Sequence, residues 1–192
     1  MKLLEDRILE EGRILPGNIL KVDRFLNHQV DPELMLEMGR DFAAHFRDKG
    51  ITRVLTLEVS GIAMALTTAL ELGVPMVFAK KISSVTLADD TYTSKVFSYT
   101  KKKEYDIRVD KHYLSPEDNV LIIDDFLAMG QALNGLVDLV DQSGAKVAGI
   151  GIAIEKAFQK GGEKYREMGY DVYSLAMIDH LTEDGVVFVG EE

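Results

Sequence analysis

The sequence predicts an α/β fold with a central, mainly parallel sheet that is flanked by helices. Several short segments carry apolar residues on both faces, which is typical of parallel strands that are covered on each side; NVLII at 119–123 is the most apolar of them. These segments alternate along the chain with stretches of helical periodicity, the order that strand–helix–strand units produce. Neither an internal repeat nor a Pro/Gly-rich linker divides the sequence, so we expect one domain over residues 1–192.

The N-terminal third is predicted to hold two helices with an extended segment between them. Residues 3–11 are expected to form a short helix that ends at Gly12, and Ile19–Leu26 is expected to be extended. Asp31 is an N-cap acid followed by a proline, which is a strong helix start. The second helix keeps one apolar face through to Gly50, and that face consists of Leu34, Met38, Phe42 and Phe46.

The middle of the chain is predicted to continue as strand, helix and strand. Arg53–Leu57 has the composition of a strand, and Ile62–Leu72 that of a helix closed by Gly73. The tetrapeptide EVSG at 58–61 is expected to be a turn between them. A short buried strand, PMVFA at 75–79, follows. These elements would form one strand–helix–strand unit of the sheet.

A basic region interrupts this alternation in a chain whose net charge is −10. Between Lys80 and Lys111 there are eight basic and five acidic residues. A solvated loop face would explain this composition, and so would a surface that attracts a small anionic substrate. Residues 92–99 and 105–109 alternate weakly, as in a mobile hairpin, and a connection of this length is uncommon in a domain unless it is a functional lid.

The C-terminal third returns to alternating strands and helices. In chain order we predict a strand at 119–123, a helix at 130–142 that ends at Gly144, a strand at 146–154, a short helix around 162–168 and a strand at 172–178.

Composition excludes several classes of protein. The net charge of −10 disfavours nucleic acids and anionic membrane surfaces as partners. Disulfides and thiolate metal sites are excluded because the chain has no cysteine, and its four histidines show no metal-ligand spacing. No stretch reaches the roughly 18 apolar residues of a membrane span, and the acidic N-terminus is unlike a signal peptide. We therefore expect a cytoplasmic protein.

Two adjacent acids, Asp124 and Asp125, follow the most apolar strand in the segment VLIIDDFLAMGQA (120–132). In an open parallel sheet, ligands bind beyond the carboxyl ends of the strands. The small residues of FLAMGQA leave backbone N–H groups accessible at a helix start, where an anion is favoured. Carboxylates accept hydrogen bonds from vicinal hydroxyls or hold Mg²⁺. The segment therefore suits a sugar phosphate, whereas the simpler alternative is that Asp125 caps a turn and Asp124 lies on the surface.

This segment resembles the phosphoribosyl diphosphate (PRPP) binding signature of type I phosphoribosyltransferases. Two further segments, LPGNILKVDRFLNHQVDP at 15–32 and AIEKAF at 153–158, extend the resemblance over nearly the whole chain, towards bacterial members that act on xanthine. The resemblance implies the type I phosphoribosyltransferase fold, with a small N-terminal hood at about 1–30 and a flexible catalytic loop at about 84–110.

The resemblance also implies a set of PRPP-binding residues. Asp124 and Asp125 would hold the ribose hydroxyls, and the 5′-phosphate would be wrapped by Ala128, Met129, Gly130, Gln131 and Ala132. The pyrophosphate loop would be formed by Glu58, Val59, Ser60 and Gly61, a segment that the residues alone would also allow to be a plain turn. Lysines of the basic region, Lys80 or Lys81 together with Lys95, would contact pyrophosphate oxygens.

A second set would hold the purine. By resemblance, Leu20 and Asn27 of the hood and Lys156 bind xanthine, whose two carbonyls require hydrogen-bond donors. Phe126 or Phe158 could flank the purine ring, although buried aromatic residues are more often part of a core.

The implied reaction joins xanthine to PRPP and gives xanthosine 5′-monophosphate (XMP) and pyrophosphate in purine salvage. Mg²⁺ would bind through PRPP or pyrophosphate rather than in a protein site of its own, and the resemblance implies a homodimer. Two alternatives stay open. One is a hypoxanthine/guanine phosphoribosyltransferase, and the other is a non-catalytic regulator that senses PRPP and binds nucleic acid, which the acidic composition disfavours.

Overall fold

The computed structural model describes residues 1–82, 90–98, 103–182 and 185–190. Five α-helices lie within these ranges: α1 (Lys2–Glu11), α2 (Pro32–Phe46), α3 (Ile62–Leu72), α4 (Gln131–Ser143) and α5 (Gly161–Glu167). The strands of the first half are β1 (Arg13–Leu15), β2 (Ile19–Lys21), β3 (Arg53–Leu57), β4 (Met76–Ile82), β5 (Thr91–Ser98) and β6 (Lys103–Asp110). Those of the second half are β7 (Asn119–Leu127), β8 (Lys146–Lys156), β9 (Val172–Leu181) and β10 (Val186–Phe188).

Eight strands form one mixed sheet in the order β10-β9-β8-β7-β3-β4-β6-β5. The five central strands, from β9 to β4, are parallel, whereas β10, β6 and β5 pair antiparallel at the two edges. The prediction of a mainly parallel sheet is confirmed. From β3 the chain winds through α3 to β4 on one side, and from β7 it winds through α4 to β8 on the other. The winding direction therefore changes between β3 and β7, where open α/β sheets bind their ligands.

Helices cover both faces of the sheet, which explains why the central strands are apolar throughout. On one face α1, α2 and α3 pack with Leu121 and Ile123 of β7. On the other face α4 and Tyr165 of α5 pack with Val120 and Ile122 of the same strand. No helix of the described ranges is long and apolar enough to span a membrane.

The second helix begins as the sequence predicts. The Asp31 carboxylate accepts hydrogen bonds from the backbone N–H groups of Glu33 (3.0 Å) and Leu34 (3.1 Å), which caps α2. Caps of this kind typically contribute about 1 kcal/mol. The other Asp31 oxygen accepts from Arg7 at 2.6 Å and so ties α1 to the start of α2.

The extended segment predicted for Ile19–Leu26 is correct only as far as Lys21. From Asp23 to Asn27 the backbone turns into a single π-helical turn. The reason is that Phe25 and Leu26 are both buried in the core, and consecutive residues of a strand point to opposite faces. Before this turn, β1 and β2 pair as a small antiparallel hairpin that the sequence analysis did not predict.

The predicted hairpin in the basic region is present as β5 and β6, which pair from Thr91↔Asp110 to Ser98↔Lys103. It is anchored on α4, where a Cβ at Gly135 would lie 2.6 Å from Val96 and 2.9 Å from Ile107. The rest of the predicted flexible loop, 84–89 and 99–102, lies outside the described residues. Movement of this region therefore stays a prediction, as do the limits of the hood.

Candidate active site

The carboxyl ends of β3 and β7 bring two separate sequence motifs together. A cavity of about 210 Å³ is lined by Glu58, Val59 and Ser60 after β3, and by Asp124 and Asp125 of β7. Lys81 from the end of β4 and Tyr105 from β6 complete its charged and polar lining. The structure therefore joins the two motifs predicted to bind ribose and pyrophosphate.

The two acids lie within β7, not after it as the sequence analysis expected. The strand continues to Leu127 because β8 accompanies it, with Asp124 opposite Ile152 and Phe126 opposite Ile154. Asp124 is 5% exposed, so the alternative that places it on the surface is wrong. Its Oδ1 accepts the N–H of Asp125 at 3.0 Å.

Burial and mutual repulsion set the protonation of this pair. Burial, and next the neighbouring Asp125, raise the pKa of Asp124 well above its ordinary value of 3.8. Burial also raises the pKa of Asp125, while its hydrogen bond from the Phe126 N–H and the charge of Lys81 act in the opposite direction. The pair is therefore a buried acceptor site that gains from hydroxyl donors or a cation.

The segment after β3 is fixed to the end of β4. The N–H of Lys81 donates to Oε1 of Glu58 at 2.7 Å, and the N–H of Glu58 donates to the carbonyl of Ala79 at 3.1 Å. The peptide bond between Glu58 and Val59 is cis. A side chain at Gly61 would collide with Thr56, so α3 starts close against its own strand. This loop places its backbone beside the acids.

The segment 128–132 comprises the connection from β7 to α4 and the first two residues of α4, and it lines a second cavity of about 520 Å³. Gly130, at the N-cap of α4, has φ = +85°, a left-handed conformation that favours glycine. All five predicted phosphate-binding residues line this cavity: Ala128, Met129, Gly130, Gln131 and Ala132. Their side chains are small or uncharged, so backbone N–H groups at a helix start are the main donors that the segment offers an anion.

Lys156, the last residue of β8, faces the same cavity. Its ammonium donates to the carbonyl of Asn18 at 2.7 Å and lies 5.9 Å from the centre of the Phe126 ring. Burial lowers the pKa of Lys156 from its ordinary value of 10.5. Phe126 also lines the cavity, whereas Phe158 packs against the core. Lys156 thus joins the predicted hood to the cavity.

The two other residues predicted for the base lie in the hood. Leu20 is the middle residue of β2, and its side chain is buried in the core. The side-chain oxygen of Asn27 is buried and has no hydrogen-bond partner among the residues that the structure describes. A buried acceptor without a donor is costly, and a ligand that donates a hydrogen bond would relieve that cost. The roles of both residues stay predictions.

The three candidate lysines occupy different places. Lys81 lines the cavity with the acids, whereas the neighbouring Lys80 lines a separate cavity with Arg108. Lys95 has a side chain that is 75% exposed and lies 3.9 Å from Asp106. The structure therefore brings Lys81 to the acids but not Lys80 or Lys95.

Sequence reasoning missed Tyr105, Asn18 and Gln159. Tyr105 lines both cavities, and burial, followed by the charges of Asp124 and Asp125, raises the pKa of its hydroxyl. The alternation at 105–109 carried a signal, because Tyr105 shares its strand face with the buried Ile107 and Val109. For Asn18 and Gln159, which line the larger cavity, no local pattern gave a signal.

Comparison with known proteins agrees with this geometry. The family model described as "Phosphoribosyl transferase domain" matches residues 31–184. The xanthine phosphoribosyltransferase of Listeria innocua is 57% identical over 192 residues and covers the whole of both chains. That of Finegoldia magna is 53% identical over 188 residues, covering 98% of this chain and 99% of its own.

Solved structures share the fold. The adenine phosphoribosyltransferase (APRTase) of Giardia lamblia, complexed with 9-deazaadenine, aligns with a TM-score of 0.75 at 24% identity and covers 92% of this chain and 98% of its own. The adenine phosphoribosyltransferase of Thermoanaerobacter pseudethanolicus aligns with a TM-score of 0.74 at 21% identity, covering 91% and 99%.

Proposed function

The chain belongs to the phosphoribosyl transferase domain family, and on that premise we propose that it transfers the phosphoribosyl group of PRPP to N9 of xanthine. The products are XMP and pyrophosphate, and the reaction belongs to purine salvage. The observation that carries the proposal is the cavity shared by Asp124, Asp125, Lys81 and the loop residues Glu58, Val59 and Ser60. The choice of xanthine is supported by the full-length relatives that carry that name.

PRPP has three groups that need separate partners, and the two cavities offer them. The ribose hydroxyls donate to the carboxylates of Asp124 and Asp125, whose burial strengthens such hydrogen bonds. The 5′-phosphate is held by the N–H groups of residues 128–132 at the start of α4. The pyrophosphate faces the loop after β3 and the ammonium of Lys81.

The residues present fit a magnesium ion that arrives with its substrate. Asp124 and Asp125 are hard oxygen donors in a buried, repelling pair, which suits this cation. No cluster of three or more His, Cys, Asp or Glu side chains among the described residues could hold a metal, and Mg²⁺ is typically bound by one or two carboxylates plus substrate phosphates. When bound, Mg²⁺ neutralises charge on the leaving pyrophosphate.

The purine is placed by the hood and Lys156. An ammonium has three donor hydrogens, so Lys156 can keep its bond to the Asn18 carbonyl while donating to an oxo group of xanthine. Asn27 does not line the larger cavity; its side-chain oxygen, buried and without a partner among the described residues, can accept from a ring N–H only once the hood has moved. Phe126 offers its ring face at the wall of the same cavity.

The chemical step is a substitution at C1′ of the ribose. The bond from N9 to C1′ forms, the bond from C1′ to the pyrophosphate oxygen breaks with its electron pair leaving on pyrophosphate, and the N9 proton passes to solvent or to the released pyrophosphate. The side chains of the site bind and orient the reactants and stabilise the charge that develops on the leaving group. Closure of residues 84–110 would exclude water from the reacting sugar.

We further propose that the protein is a cytoplasmic homodimer. The outer face of α3 supports an interface, because Leu66 and Leu70, one turn apart, are 57% and 69% exposed. Contiguous exposed apolar residues often mark contact surfaces between proteins. Light scattering after size exclusion tests the dimer: a mass twice that of the 21.4 kDa chain supports it, and a single-chain mass contradicts it.

The function is tested by incubating the protein with PRPP, Mg²⁺ and one of three bases: xanthine, guanine or hypoxanthine. We expect XMP and pyrophosphate in equal amounts, with the highest kcat/KM for xanthine. A higher kcat/KM for guanine or hypoxanthine would reassign the base. PRPP binding without nucleotide formation from any of the three would instead favour the sensor.

A further inference from the structure

The short helix α5 packs against the phosphate-binding loop from outside the cavities. Gly161, its first residue, donates its N–H to the carbonyl of Ala128 at 3.0 Å. A side chain at Gly161 would collide with that carbonyl, so the start of the helix lies directly against the loop. Ala128 is the first of the five residues assigned to the 5′-phosphate. Helix α5 therefore supports the loop on the side that faces away from the cavities.

Tyr165 contacts the same loop at a second point. Its ring is buried, and its Cε2 atom lies 3.2 Å from where a Cβ on Gly130 would stand. Its hydroxyl donates to Oδ1 of Asn134 at 2.5 Å, and the N–H of Asn134 donates to the carbonyl of Gly130 at 2.8 Å. One side chain thus contacts both the left-handed glycine of the loop and the first turn of α4.

A buried ion pair fixes α5 to the sheet. The guanidinium of Arg166 donates two parallel hydrogen bonds to Glu155, of 2.8 and 2.7 Å. Glu155 is 1% exposed and also accepts from the hydroxyl of Ser174. A side chain at Gly162 would collide with Glu155, so helix and strand meet closely here. Because bidentate pairs fix both distance and orientation, the helix has little freedom to move on β8.

The loop needs such support because its own side chains provide few donors. Of the five residues from 128 to 132, only Gln131 has a polar side chain. Anion binding therefore depends on backbone N–H groups, whose directions change with the conformation of the loop. Small displacements of a binding group have large effects on affinity and rate.

We infer that Tyr165 and the Glu155–Arg166 pair are positioning residues, which hold loop 128–132 in the conformation that binds the 5′-phosphate of PRPP. The inference rests on the proposed function. It assigns this role to side chains that do not line the cavity beside residues 128–132. It predicts that their loss weakens binding of the 5′-phosphate end of PRPP and not of its pyrophosphate end.

The sharpest test is Tyr165→Phe, with Tyr170→Phe as the matched control. Tyr170 packs against Tyr165, with ring centres 5.7 Å apart, so the control removes the same hydroxyl group from the neighbouring ring. We expect Tyr165→Phe to raise KM for PRPP and Kd for ribose 5-phosphate by about 5- to 10-fold. The KM for xanthine and the Kd for pyrophosphate should stay at the wild-type value, as should all four constants in Tyr170→Phe.

A second pair of variants tests the ion pair without leaving a buried charge alone. Arg166→Lys keeps the positive charge but cannot make two parallel bonds. Arg53→Lys is its control, because Arg53 pairs with Asp118 at 3.3 Å at the opposite end of the sheet. We expect Arg166→Lys to raise KM for PRPP several-fold with kcat nearly unchanged, and Arg53→Lys to leave KM for PRPP unchanged even where it lowers the Tm.

The outcomes separate this inference from the proposed function. If the wild-type protein binds PRPP and Tyr165→Phe binds PRPP and ribose 5-phosphate equally well, the positioning role is wrong and the function stands. If Tyr165→Phe raises KM for xanthine and KM for PRPP by the same factor, the residue is merely structural and the inference is also wrong. A wild-type protein that binds no PRPP overturns both.

Discussion

The ammonium of Lys156 lies 2.7 Å from the carbonyl oxygen of Asn18 and donates a hydrogen bond to it. One contact therefore joins the end of β8 to the turn of the N-terminal hairpin, across the cavity that we assign to the purine. The arrangement couples the position of the hood to the residue that we propose recognises the base.

Replacing Lys156 should weaken the binding of xanthine but not that of PRPP. Lys156→Met removes a donor to the purine and the bond to Asn18, and a hydrogen bond to a charged donor contributes about 1.5–3 kcal/mol. We expect KM for xanthine to rise by about 10- to 100-fold, while Kd for PRPP in calorimetry stays unchanged. Lys160→Met, at an exposed lysine four residues away, is the control and should match the wild type in both.

The pH dependence of xanthine binding should also originate at Lys156. Burial lowers the pKa of this lysine below 10.5, and only the protonated form is a cation with three donors. As the pH is raised, Lys156 loses its proton at the lowered pKa. KM for xanthine should therefore start to increase before the pH reaches 10.5. Lys156→Met should lack the part of the pH profile due to this group, and an identical profile in wild type and variant would refute the assignment.

Lys81 and Lys80 form a natural pair for testing the leaving-group site. Only Lys81 lines the cavity with the acids. Lys81→Met should lower kcat by about 100-fold, the size of effect seen when a donor to developing negative charge is removed. Lys80→Met should keep the wild-type kcat. Lys95→Met tests the third candidate lysine. Because the Lys95 side chain is exposed, we expect this variant to keep the wild-type kcat, which would show that Lys95 does not act in the site.

Asp124 should lower the stability of the free protein. Its folded-state pKa lies above the ordinary 3.8, so the folded protein holds the proton of Asp124 more tightly than the unfolded chain does. The stability gained from the protonated form is fully present below pH 3.8 and is lost as the pH rises through the folded-state pKa. Asp124→Asn should raise the Tm at neutral pH by about 2–4 °C, the shift that ~1 kcal/mol causes in a domain of this size. The gain should shrink on acidification, and Asp138→Asn, at an exposed acid of α4, should leave the Tm unchanged.

Much of the fold could be predicted because its determinants are local. Asp31 caps α2, and Gly73 and Gly144, both left-handed, close α3 and α4 at the predicted positions. The buried central strands are apolar on both faces, so their composition alone identified them. The π-helical turn at Asp23–Asn27 could not be predicted, since it depends on burying two consecutive side chains in the core.

The site was predictable in its motifs but not in its geometry. Asp124 and Asp125 remain in the strand because β8 extends beside them, which is a tertiary effect. The exposed position of Lys95 had a local signal, since its apolar neighbour Val96 is buried and adjacent strand residues face opposite sides. Gly161 and Tyr165 carried no signal, because their contacts with the loop join elements that are distant in sequence.

Calorimetric titration of the protein with PRPP in the presence of Mg²⁺ tests the central claim most directly, that the acid pair of β7 holds the ribose. The wild-type protein should bind PRPP. The double variant Asp124→Asn, Asp125→Asn should lose about 10-fold or more in affinity while keeping a Tm at or above that of the wild type. Equal affinity for PRPP in the wild type and a folded double variant would contradict the account.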